Sequence, residues 1–110
     1  MPFRARHIPE RLMPNIRLVL DASGLSNGAV SRALNARGAA SQPSTVSRWR
    51  NQVNVPADLR PISEWSGIPE RTLSYGTEVQ VLAAIAQAKA RGGMAPLAAI
   101  PAPTPDAAAG

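Results

Sequence analysis

The sequence predicts an all-α domain: five short helices, then a sixth, with flexible ends. Three observations predict it. Apolar residues recur three or four apart, the spacing of a helix face, and nowhere alternate with polar ones over the length of a strand. Glycines at positions 24, 38, 67 and 92–93 stop these stretches where a helix needs a residue free to take the left-handed conformation. With 110 residues and no cysteine, the chain has room for one compact module and cannot use a disulfide framework or thiolate ligands.

Each element follows from its punctuation. Residues 1–12 carry prolines at 2 and 9 and no period, and read as a flexible basic arm. Pro14 opens the first helix, where its fixed φ suits the first turn; Ile16, Val19 and Leu20 supply its apolar stripe, and Gly24 ends it. Ser26 caps a second helix with Val30, Ala33 and Leu34 on one face, closed by Gly38. Ser41 is the expected cap of a third, with Pro43 in its first turn and Val46 and Trp49 facing the core. Pro56 is expected to open further helix that restarts at Pro61; Ile62 and Trp65 belong to it, Gly67 turns the chain, and Leu73 sits in the next helical turn. A helix over 78–90 follows, with Val81, Leu82, Ile85 and Ala88 as its stripe, before Gly92-Gly93 and an Ala/Pro-rich tail over 92–110 that reads as disordered. The resulting division is 1–12, 13–76, 77–91 and 92–110.

Charge is unevenly placed. Residues 1–55 hold eight arginines against Glu10 and Asp21, whereas residues 56–110 hold four basic and five acidic residues. From Asn27 to Val55 there are four arginines and no acid, the pattern of a surface that meets polyphosphate. The plainer reading is a solvated basic face. Viewed down the third helix, the side opposite Val46 and Trp49 carries Ser44, Ser47, Arg48 and Asn51, all polar and mostly short. Two helices at a turn, the second with a packed face and a small polar face, form a helix-turn-helix; the major groove admits one such helix if short side chains let it come close.

These residues resemble a known family. Gly24-Leu25-Ser26 with Ala29-Val30, the run Ser41-Gln42-Pro43-Ser44-Thr45-Val46-Ser47-Arg48-Trp49, and the stretch from Ser63 to Leu73 are together similar to the lambda-repressor/Cro-like (XRE-type) helix-turn-helix family. The resemblance covers Ile16 to Leu73, about half of the chain. It implies a five-helix DNA-binding domain with the helix after Ser41 as recognition helix. The chain departs from the family pattern in its turn: thirteen positions separate Ala33 from Val46 where about ten are usual, with the extra residues in Arg37-Gly38-Ala39-Ala40.

On that resemblance, base-edge contacts fall to Gln42, Ser44, Ser47 and Arg48, since Gln pairs bidentately with adenine and Arg with guanine. Asn27, Arg32, Arg37, Arg50 and Asn51 are expected on phosphate, and Arg4 and Arg6 of the arm in the minor groove. The plainer alternatives are that Gln42 caps its helix and Arg48 meets only phosphate. A second helix-turn-helix shape around Gly67 has Glu64, Glu70 and Glu78 beside it, which oppose close approach to phosphate.

The expectation is a sequence-specific DNA-binding regulator, a repressor or Cro-like switch acting by occupying an operator, bacterial or phage in origin and cytoplasmic. Its partners would be double-stranded DNA and, through residues 78–90, a second copy or another protein. The competing readings are a protein-interaction adaptor such as an antitoxin component, working through the last helix and tail, and a nonspecific nucleoid-type binder. No enzyme, cofactor or metal is expected: the only histidine, His7, stands in the arm, and the acids lie at helix ends. No apolar run approaches the roughly 18 residues of a membrane span, and no signal peptide is expected. The core is expected to be too small to spare a ligand cavity.

Overall fold

The computed structural model describes residues 8–95. Among them the chain forms six α-helices and no strand: α1 (Leu12–Ser23), α2 (Asn27–Asn35), α3 (Pro43–Arg50), α4 (Arg60–Ser66), α5 (Glu70–Tyr75) and α6 (Glu78–Ala90). None is long and apolar enough to cross a membrane. The expected all-α class is therefore observed, with the expected number of helices.

The helix ends have local causes. Ser26 accepts the Ala29 N–H at 3.1 Å and so satisfies one of the unpaired donors at the start of α2. At its other end the Ala39 N–H reaches back to Leu34 O and the Gly38 N–H to Asn35 O, both at 3.1 Å, a pairing that needs Gly38 at φ +94°. Gly24 (φ +69°) and Gly67 (φ +78°) end α1 and α4 in the same left-handed region. Pro43 and Pro61 sit in first turns, where the missing amide hydrogen costs nothing.

Packing places α1 at the centre, against α3 on one side and α5 and α6 on the other, while α2 lies across α3 and α4. Ile16, Val19 and Leu20 of α1 meet Val30 and Leu34 of α2, Val46 and Trp49 of α3, Ile62 and Trp65 of α4, and Leu73, Val81 and Ile85 beyond. All of the expected core positions in the first five helices are buried. In α6 one is not: Leu82 is 47% exposed, because it lies on the face turned away from α1.

Four boundaries differ from expectation. Leu12 begins α1, two residues before Pro14, and is buried, so the ordered domain starts inside the expected arm. Pro56 opens no helix; it is buried in a connection, and α4 begins at Arg60, whose N–H is held by Asp58 Oδ1 at 3.0 Å. Ser41 is not the cap of α3; Gln42 takes that position, and Ser41 is buried in the preceding turn. The chain is also anchored past Gly92-Gly93: Met94 is buried, its N–H bonds to Trp65 O at 2.9 Å, and Trp65 Nε1 donates to Ala95 O at 2.7 Å.

Candidate nucleic-acid interface

α3 forms because Pro43 fixes its first turn, Thr45 Oγ1 accepts the Gln42 N–H at 3.3 Å, and Val46 and Trp49, three apart, sink into the core. That anchoring leaves the opposite side outward. Gln42, Pro43, Ser44, Arg48 and Asn51 are exposed and Ser47 is half-exposed; Ser44, Ser47 and Arg48 share the side of α3 opposite Val46 and Trp49, and Gln42 stands exposed at its N-cap. The Arg48 side chain makes no hydrogen bond or ion pair within the described residues. Asn51 Nδ2 leans back on Ser47 Oγ at 3.5 Å.

The start of α2 borders this face. A Cβ on Gly28 would stand 3.5 Å from Arg32 Nη1 and 3.9 Å from Pro43 Cγ, so the exposed Arg32 guanidinium lies beside the first turn of α3. Gln42, Ser44, Arg48 and Arg32 thus make one surface, and its own segment, Asn27 to Val55, contains no acid.

The long α2–α3 connection, residues 36–42, is held by a polar network. Asn35 Oδ1 accepts from the Ser41 N–H at 2.8 Å and from Ser41 Oγ at 3.0 Å, while Asn35 Nδ2 donates to Ser41 O at 2.9 Å. Ser31 Oγ donates to the same carbonyl at 2.9 Å. The connection is therefore pinned at Ser41 with Ala39 packed on the core, and α3 starts from a fixed point. Neither Asn35 nor Ser31 stands out in the sequence; only their pairing across the turn gives them a role.

Arg50 is used differently from the expectation. Its guanidinium is only 24% exposed and reaches inward: Nη1 donates to Asn27 Oδ1 at 2.9 Å, and Nη2 to Leu25 O at 2.9 Å and Leu20 O at 3.0 Å. Nε lies 3.3 Å from Asp21 Oδ1, and Asp21 also meets Arg17 at 3.4 Å. Arg50 therefore ties the end of α3 to the α1–α2 joint, and it occupies Asn27 as well. The Arg50 guanidinium is thus turned away from the position expected for a phosphate contact, whereas Asn27 gives only its Oδ1 acceptor to Arg50 and keeps its Nδ2 donor for another partner. Arg37 is displaced too: it borders a cleft with Glu64, Trp65, Gly67 and Arg91, at the α4 and α6 ends rather than on the α3 face. Arg4 and Arg6 lie outside the described residues.

A solvent-open cleft of about 210 Å³ lies beside the turn, between Leu34, Ala39, Trp49, Pro56, Pro61 and Ile62. Among the described residues no group of His, Asp and Glu is arranged to hold a metal ion. No protein-family model, curated protein or solved structure matches the chain.

Proposed function

We propose that the chain is a sequence-specific DNA-binding regulator that acts by occupying an operator, with the α2–α3 pair serving as a lengthened helix-turn-helix of the lambda-repressor/Cro-like kind. One observation carries the reading: α3 buries Val46 and Trp49 and leaves Ser44 and Arg48 on an exposed face, with Gln42 exposed at its N-cap, in a segment that contains no acid. A helix so presented can enter the major groove, where Gln42 would face adenine and Arg48 guanine, each bidentate pair being worth about 1–3 kcal/mol of discrimination. Arg32, beside the first turn of α3, would meet the flanking phosphate. Such a regulator needs no chemistry; it would act by excluding other proteins from the bound site.

The test is selection of bound duplexes from a random pool. A short enriched motif, bound far more tightly than scrambled DNA at the same salt, supports the reading. Binding that is equal for all sequences and collapses with salt would point to a nonspecific binder. No binding would leave the α3 face without a nucleic-acid role.

A further inference from the structure

α6 has two apolar faces. Val81, Ala84, Ile85 and Ala88 turn inward, as the packing against α1 requires. Val79, Leu82, Ala83, Ala86 and Ala90 recur at helical spacing on the other side and are all exposed, Val79 at 76%. No charged side chain interrupts that outer stripe. Tyr75, 64% exposed at the end of α5, precedes it in the chain.

We infer that the outer face of α6 pairs antiparallel with α6 of a second copy of this chain. The stripe is self-complementary only in that orientation. Its large residues, Val79 and Leu82, stand in the N-terminal half and its alanines at 86 and 90 in the C-terminal half. A two-fold axis near residue 84 sets Leu82 against Ala86 of the partner subunit and Val79 against Ala90 of the partner subunit, large into small. The polar flanks obey the same axis. Glu78 and Lys89 lie on one flank and Gln80 and Gln87 on the other, so each acid faces the other copy's lysine and each glutamine the other copy's glutamine. Parallel pairing would set each charged flank against the other copy's glutamine flank, leaving Glu78 and Lys89 without a charged partner, and would leave the alanines facing alanines.

Lys89 is compatible with this. Its Nζ donates to Ala22 O at 2.9 Å, which uses one of its three donors and leaves two for a partner carboxylate. A helix of 13 residues is about 20 Å long and covers less than the roughly 1,200 Å² of a standard interface. The pair is accordingly weak and reversible. None of this depends on the α3 face, and the measurement uses no DNA, so its failure leaves the DNA-binding proposal standing, and the reverse.

Sedimentation equilibrium on the full chain, from low micromolar to near-millimolar concentration, tests the pairing. We expect a reversible monomer–dimer equilibrium that Leu82→Lys abolishes without lowering the melting temperature, since Leu82 lies outside the core. Glu78→Lys and Lys89→Glu should each weaken dimerisation several-fold, and the double reversal should restore it. Melting each variant separates loss of pairing from loss of fold, which matters for Lys89 because of its bond to α1. A chain that stays monomeric throughout, a dimer indifferent to Leu82→Lys, or a double reversal that fails to recover would each overturn the proposal. So would a monomer destabilised by Leu82→Lys, which would mean that the chain's own remaining segment covers the stripe.

Discussion

Replacing Arg50 by alanine separates a structural role from a phosphate-binding one. In the fold its guanidinium supplies three hydrogen bonds, to Asn27 Oδ1, Leu25 O and Leu20 O, and lies beside Asp21. Leu20 O keeps another donor, Ser23 Oγ at 2.6 Å, and the Asp21 carboxylate keeps Arg17 at 3.4 Å, so the groups left without their partner are Leu25 O and Asn27 Oδ1. Hydrogen bonds from a charged donor contribute about 1.5–3 kcal/mol each, but with the side chain a quarter exposed water replaces part of them. We therefore expect a loss of about 2–4 kcal/mol. At roughly 4–8 °C per kcal/mol for a domain of this size, the melting temperature falls by roughly 10–30 °C. Urea unfolding followed by Trp49 and Trp65 fluorescence measures it. Lysine at position 50 should recover less than half, because one ammonium cannot span acceptors on α1, the joint and α2. A loss below about 0.5 kcal/mol, typical of an exposed surface change, would refute the reasoning and return Arg50 to the set free to bind phosphate.

Three further outcomes follow from the same geometry. Asn15 is fully buried and its Nδ2 donates to Leu73 O at 3.0 Å and Gly76 O at 2.9 Å; Asn15→Ala leaves Leu73 O without that donor and Gly76 O with Arg11 Nε alone at 3.3 Å, and should cost about 1–3 kcal/mol in urea unfolding. Gln52 ends α3 at φ +59°, where a Cβ is strained, so Gln52→Gly should raise stability by about 1 kcal/mol, read as a higher melting temperature. Gly93→Ala would set a Cβ 2.5 Å from Ser66 O; it should free Met94 and Ala95 from α4 and shift Trp65 emission to the red, together with a lower melting temperature.

Helix class and the inner faces of α1 to α5 were legible because periodicity and punctuation agree there. Ser26, Gly38 and Pro43 each do locally what their chemistry predicts. Long-range polar ties were not legible. Arg50 and Arg48 look alike in the sequence, two residues apart on a basic helix, yet one turns inward to the α1–α2 joint and the other outward. What separates them is the proximity of Leu20, Leu25 and Asn27, which no local pattern encodes. Leu82 misled for a related reason: α6 carries apolar residues on both sides, and spacing alone does not say which side meets α1. Met94 lies in an Ala/Pro-rich stretch that resembles a tail, and only its contact with α4 distinguishes it.

The most direct measurement compares Arg48→Ala with Arg37→Ala in binding to a selected duplex and to scrambled DNA at fixed salt. Each variant removes one arginine charge, but Arg48 stands on the α3 face and Arg37 beside α4 and the end of α6. We expect Arg48→Ala to lose about 1–3 kcal/mol of preference for the selected duplex, and Arg37→Ala to keep that preference unchanged. Equal losses from both variants, or no preference to lose, would contradict a reading in which α3 recognises sequence.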